Sequence, residues 1–221
     1  MILLVISKKT SYESYKEQIE NAYKLKHIDK AYLDILIKAY NQHTRCLETL
    51  LEELSKRSIA FKHVNKSDEY SDLESVGCVL TVGGDGTVLY ANHLVGDKNI
   101  PIVGLCSSGL SVGHLCGYLD KNIVDLVKKI NQQEIAFKNI NRMKACIYKV
   151  DGSSNINTSF IINDFLFCNS IPSVTTRYQI SLGSQIEQHK SSGVWVSTTM
   201  GSTAAIKACK GNKFNSNSER F

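Results

Sequence analysis

No apolar run in this chain of 221 residues approaches the roughly 18 to 20 that a membrane-spanning helix needs. The apolar start, Met1-Ile-Leu-Leu-Val-Ile-Ser7, is short and has no basic flank before it. It reads as a buried strand and not as a signal peptide. No Cys-x-x-Cys pair occurs either. Cys46, Cys78, Cys106, Cys116, Cys146, Cys168 and Cys209 lie far apart, without metal-ligand spacing, so no metal site is expected. An odd number of scattered cysteines points to a reducing cytoplasm with free, mostly buried thiols. Internal repeats are lacking, and only two residues are proline, which excludes a collagen-like array. At 43% hydrophobic and 21% charged the chain is ordinary for a globular protein and unlike a disordered tail. Charge of one sign is also scarce. Lys plus Arg number 26 and Asp plus Glu 21, a net charge of +5. That excess permits phosphate-bearing ligands but does not announce a nucleic-acid surface.

What is present reads first as α/β. Strands are expected over 1–7, 59–64, 77–82 and 101–105, each a short apolar or alternating run. Long charged stretches nearly free of glycine and proline, 11–24 and 29–57, are expected helices, as are 88–95 and the amphipathic segment 123–131. Strand, loop, helix and strand at this spacing predict a parallel sheet with crossover helices. After about residue 137 the texture changes to short strand-like runs, 144–150, 158–162, 165–167, 177–181 and 194–197, separated by polar loops. A second, antiparallel β-rich unit is expected, ending in a short helix over 201–209 and a polar stretch over 211–221.

Three segments carry possible chemistry. Gly83-Gly84-Asp85-Gly86-Thr87 follows a strand and precedes a helix. Its glycines allow positive φ and close approach to a ligand, and amides at the helix start can face phosphate oxygens. It is neither a G-x-x-x-x-G-K-[ST] loop nor a dinucleotide fingerprint, since Leu89 stands where a third glycine would be. Asp85 can accept a proton from an attacking hydroxyl, help hold a metal, or merely cap the helix. Asn163-Asp164, between hydrophobic runs, suits ribose hydroxyls or an adenine edge, or forms an Asx turn. The run Ser192 to Ala205 joins a strand, a hydroxyl-rich glycine turn and a small-residue helix start, which suits an anion or a nucleotide, or is simply an N-cap. His114, close to the Asp85 loop in sequence, can stack on a base or serve structure alone.

At these three points, in this order and spacing, the sequence resembles the NAD kinase family. Gly83-Gly-Asp-Gly-Thr87 is similar to its glycine-rich motif, Asn163-Asp164 to its Asn-Glu/Asp motif, and Gly193 to Ala205 to its third motif. Ser111-Val-Gly-His-Leu-Cys116 and Asn163-Asp164 look most like the plant-type NADH kinase and mitochondrial-type branch. The resemblance implies a Rossmann-like α/β domain over 1–120 and a β-sandwich domain over 121–221. Family members continue beyond the third motif, so an incomplete sandwich is expected. It implies phosphoryl transfer from ATP, accompanied by Mg²⁺, to the adenosine 2′-hydroxyl of NAD or NADH. Asp85 then takes the general-base place, and Gly83, Gly84, Gly86 and Thr87 cradle phosphates. Asn163 and Asp164 hold nucleotide hydroxyl or base edges, Thr203 and Ala204 fall at nicotinamide-nucleotide positions, Lys190 stands just before the third motif, and His114 lies near the adenine. Small-molecule nucleotides are the implied partners, without nucleic acid or membrane, in a homodimer or homotetramer.

The sequence departs from the family at Lys190-Ser-Ser-Gly193, where many members read Arg-x-Asp-Gly, and at Ala205, where many have tyrosine. Both departures bear on the nicotinamide side and on the choice between NAD and NADH. Two rival readings follow from the same residues. One is a lipid kinase, which shares only the glycine-rich loop. The other is a non-catalytic nucleotide-binding remnant of the family.

Overall fold

A computed structural model of the chain describes residues 2–214, and the expected polar end over 215–221 lies outside the described residues. The chain divides into two compact units, Met1–Lys138 and Asn139–Phe221. The first therefore runs past the expected boundary at 120, because the helix over 123–131 packs into the first unit's core and not into the second.

In the first unit, strands β1 (Ile2–Ser7), β2 (Phe61–Asn65), β3 (Val76–Gly83), β4 (Ile102–Cys106) and β5 (Tyr118–Leu119) form one parallel sheet in the order β2-β1-β3-β4-β5. β1 is buried from Leu3 to Ser7, and β3 from Val79 to Gly83. Such unbroken apolar runs belong to strands covered on both faces. Side chains alternate across the sheet. Leu3 and Val5 of β1 join Leu80, Val82, Val103 and Leu105 against Cys46, Leu50 and Leu54 of α3 (Lys30–Lys56) and Leu126 and Val127 of α5 (Ile123–Gln132). Leu4 and Ile6 turn the other way, with Val79, onto Ala91 and Val95 of α4 (Asp85–Val95).

The long helical stretch after β1 is broken near Tyr15 into α1 (Ser11–Ser14) and α2 (Lys16–Lys24). Thr10 and Glu13 form a capping box that fixes where α1 starts. Asp29 caps α3, accepting a hydrogen bond from the Tyr32 amide at 2.7 Å.

Among its described residues the second unit holds three two-stranded antiparallel ladders. β6 (Cys146–Ile147) pairs with β7 (Ile156–Asn157), β8 (Asp164–Phe167) with β11 (Val194–Ser197), and β9 (Thr176–Leu182) with β10 (Gln185–Ser191). The expected strands over 144–150 and 158–162 shrink to β6, β7 and a bridge from Met143 to Ile161. The expected helix over 201–209 is a 3₁₀ turn, Gly201–Thr203, followed by α6 (Ala205–Ala208). The thiols also differ from expectation. All seven are free, but only Cys46 and Cys106 are buried, and Cys146, Cys168 and Cys209 are exposed. A two-stranded ladder covers one face at best, which leaves Cys146 of β6 open to water. No helix among the described residues is long and apolar enough to cross a membrane.

Candidate functional site

In an open parallel sheet the loops leaving the carboxyl ends of the strands surround a crevice where the strand order reverses. Here that crevice lies between β1 and β3. A cavity of about 480 Å³ opens there, lined by Lys8 and Lys9 after β1, Lys66 and Ser67 after β2, Gly84, Asp85, Gly86 and Thr87 after β3, and Ser111 after β4. Three ammonium groups and one carboxylate thus line the cavity, which gives it a positive balance suited to phosphate.

The glycine loop is shaped by contact and not by backbone handedness. None of Gly83, Gly84 and Gly86 has a positive φ, contrary to the sequence-based expectation. A Cβ on Gly83 would lie 2.1 Å from Thr87 Oγ1, and one on Gly84 would lie 2.5 Å from Ser111 Oγ. At Gly86 a Cβ would meet nothing within 4 Å. Gly84 is the N-cap of α4 and has no side chain to occupy the helix end. Thr87 sits in the first turn with its amide bonded to the Gly84 carbonyl at 2.9 Å, and its side chain is buried beneath the loop.

Asp85 is held at the cavity wall. Its Oδ1 accepts the Leu115 amide at 2.7 Å and its Oδ2 accepts the His114 amide at 3.1 Å. His114 therefore meets Asp85 through its backbone, while its side chain is exposed. Each carboxylate oxygen keeps accepting capacity beyond the one amide it receives. Lys66 Nζ donates to the Gly86 carbonyl at 3.2 Å and stands 5.7 Å from the Tyr90 ring centre. Behind the cavity the Ser7 hydroxyl lies 2.9 Å from His63 Nε2 and donates to Asn65 Oδ1 at 3.1 Å. Burial holds the His63 ring below its ordinary range, against the pull of Asp68.

In the second unit the structure brings the second and third motifs together. The Asn163 carbonyl accepts the Thr198 amide at 2.9 Å and the Ser197 hydroxyl at 3.2 Å. Thr198 Oγ1 donates to the Ile162 carbonyl and accepts the Gly201 amide at 3.2 Å. A Cβ on Gly201 would lie 2.0 Å from the Asn163 carbonyl oxygen, so only glycine fits there. Asp164 stands opposite Ser197 in the β8–β11 ladder. Its Oδ2 is buried and has no hydrogen-bond partner among the described residues. Burial raises its carboxyl above the ordinary range, opposed by the Ala205 amide. A buried acceptor left open in this way is suited to a ligand hydroxyl or amine. Thr203 spends its hydroxyl on the Met200 carbonyl at 3.1 Å, and the Ala204 amide bonds the Gly201 carbonyl at 2.8 Å. Lys190 is exposed on another ladder, β9–β10, opposite Arg177.

Sequence reasoning did not find Lys8, Lys9, Lys66 or Ser111 as cavity residues. The signal for the lysines was present: each stands just past the end of a strand in a parallel sheet. Among the described residues no three His, Cys, Asp or Glu side chains converge as a metal site would require.

The family model described as the ATP-NAD kinase N-terminal domain matches residues 5–135, more than half of the chain and most of the first unit. An NADH kinase of Arabidopsis thaliana is 26% identical over 143 residues, covering 65% of this chain and 39% of that protein. A probable NADH kinase of Oryza sativa subsp. japonica is 24% identical over 202 residues, covering 81% and 59% respectively. An NAD kinase of Lachnospira eligens is 28% identical over 152 residues, covering 65% and 49%. The chain thus spans about two to three fifths of these relatives' length. Among solved structures, an Archaeoglobus fulgidus NAD kinase in complex with ATP superposes with a TM-score of 0.62 at 15% identity, covering 98% of this chain and 69% of that one. Yeast NADH kinase complexed with NADH also gives 0.62, at 18% identity, covering 97% and 62%. The fold is that of these two-domain α/β proteins, and the chain belongs to the NAD kinase family.

Proposed function

We propose that this chain transfers a phosphoryl group from ATP to the adenosine 2′-hydroxyl of NAD or NADH, yielding NADP or NADPH. The observation that carries the reading is Asp85, a carboxylate fixed by two amides on the wall of a lysine-lined cavity. Family membership supports the reaction class, and the ATP and NADH bound to the two structural relatives support the pair of substrates. The hydroxyl oxygen attacks the γ-phosphorus, the bond to the ADP oxygen breaks, and the hydroxyl proton passes to Asp85. Lys8, Lys9 and Lys66 offset the charge spread over the phosphoryl oxygens. A ribose hydroxyl is a weak nucleophile, so positioning and charge neutralisation supply most of the rate. Mg²⁺ belongs to the triphosphate in this reading, and no protein cage for it is needed. Asn163 and Asp164 hold nucleotide hydroxyls or base edges, with the open Oδ2 of Asp164 as acceptor. Seven free cysteines support a reducing, cytoplasmic setting.

The test is Asp85→Asn, assayed for NADP and NADPH formation with ATP and Mg²⁺. Turnover should fall at least about a hundredfold, the scale of a lost general base, while the circular dichroism spectrum stays unchanged. Near-normal turnover in this variant overturns the role of Asp85. Comparing NAD with NADH in the wild-type chain decides the acceptor. Calorimetric binding of NAD with no ATP-dependent product would replace catalysis by nucleotide binding alone.

A further inference from the structure

We infer that His43 is a positioning residue that sets the Asp85 carboxylate through the segment joining β4 to β5. The inference deepens the reading above and rests on it for its kinetic arm.

His43 lies in the middle of α3 and is 3% exposed. Its Nδ1 shares a hydrogen bond of 2.8 Å with the hydroxyl of Ser107, which is 0% exposed. Ser107 is the first residue past β4, and its amide donates to the Gly83 carbonyl at 2.9 Å. One residue thus links α3 to the first glycine of the catalytic loop. From Ser107 the chain runs on to His114 and Leu115, whose amides hold both oxygens of Asp85. Gln42, the neighbour of His43, holds the same segment a second time, its Oε1 accepting the Gly109 amide at 3.4 Å. The segment that aims the carboxylate is therefore rooted on α3 at positions 107 and 109.

The pairing is specific in kind as well as place. Residues 43 and 107 are 64 apart in sequence and both buried, so neither finds water if the other is lost. Burial keeps the His43 ring below its ordinary range, and the charge of Lys8 adds to this. The titratable groups that act on the ring are Lys8 after β1, Glu13 on α1 and His63 on β2. The Lys8 backbone carbonyl also faces the ring, so His43 stands between the exits of β1 and β4. Both exits border the cavity, where Lys8 and Ser111 are lining residues.

The experiment compares the full chain with His43→Leu, His43→Asn and Ser107→Ala. Asparagine can place a polar atom near the position of Nδ1, and leucine cannot. Amide hydrogen exchange over 107–117 is read against exchange in β1, β3 and β4. Exchange at His114 and Leu115 should rise about tenfold in His43→Leu and in Ser107→Ala, the equivalent of one ordinary hydrogen bond. It should return toward wild type in His43→Asn, while the central strands stay protected. Unchanged exchange over 107–117, or an equal rise throughout the sheet, overturns the inference, the second outcome marking a purely structural residue. In the kinetic arm, kcat should fall about tenfold in His43→Leu with KM for the dinucleotide unchanged. An unchanged kcat there also overturns it. A wild-type chain that makes no NADP or NADPH defeats the proposed function, and the exchange result still decides the role of His43.

Discussion

Gly83 and Gly86 stand three positions apart in one motif and answer to different demands. At Gly83 the protein itself leaves no room, because Thr87 Oγ1 would meet a Cβ at 2.1 Å. At Gly86 the space is open and faces the cavity. Gly83→Ala should therefore lower stability by about 1 to 3 kcal/mol, as overpacking does, in urea unfolding. Gly86→Ala should leave stability equal or raise it by about 0.4 to 1 kcal/mol, since removing a glycine restricts the unfolded chain. The same substitution should weaken ATP binding by calorimetry, because the methyl group occupies ligand space. At this scale the sequence offered the glycine loop, Asp85 and the Asn163-Asp164 pair as candidates, and the structure sets Asp85 and the loop on the lysine-lined cavity. It did not disclose His43 or Ser107. A buried histidine–serine pair across 64 positions leaves no local pattern.

Elements differ in how clearly their residues announce them, and burial explains the difference. β1, β3 and β4 are sealed on both faces, so their sequences are continuous apolar runs and all three were expected. β10 reads Gln-Ile-Glu-Gln-His-Lys-Ser and is almost wholly exposed, so it carries no alternation to detect. Its one local sign is Gly183-Ser184 after β9, with Gly183 at φ 58°, a two-residue hairpin turn. The same contrast predicts two unlike leucines. Leu80→Ala, in the centre of β3 at 0% exposure, should cost about 2 to 5 kcal/mol. Leu182→Ala, at the end of β9 and 75% exposed, should stay within about 0.5 kcal/mol. Chemical denaturation of both variants measures the difference, and equal losses would contradict the burial described for the two units.

For the whole molecule, two histidines set the acid side of stability. His43 and His63 are both lowered from 6.5, each chiefly by burial. The unfolded chain then takes up protons near pH 6.5 while the folded chain does not. Stability from these groups is fully present above pH 6.5 and is lost as the pH falls through the folded values. The urea midpoint should thus fall between pH 7 and pH 5, and His43→Asn should flatten that fall. A midpoint independent of pH over this range would contradict the burial of both rings. At this scale the sequence disclosed two units and their classes. It misplaced their boundary because α5 is amphipathic, and an amphipathic helix does not say which core it joins. Only the packing of Ile123, Leu126 and Val127 beneath the parallel sheet assigns it.

The strand order β2-β1-β3-β4-β5 has a consequence for change over time. Every cavity residue stands on a connection past a strand end or in the first turn of α4, while the residues that keep the sheet together lie between its two helical layers. Recognition and folding are therefore written in separate parts of the text. A lineage, or an engineer, can exchange Lys9 or Ser67 to court a different phosphoryl source without renegotiating the architecture that presents it.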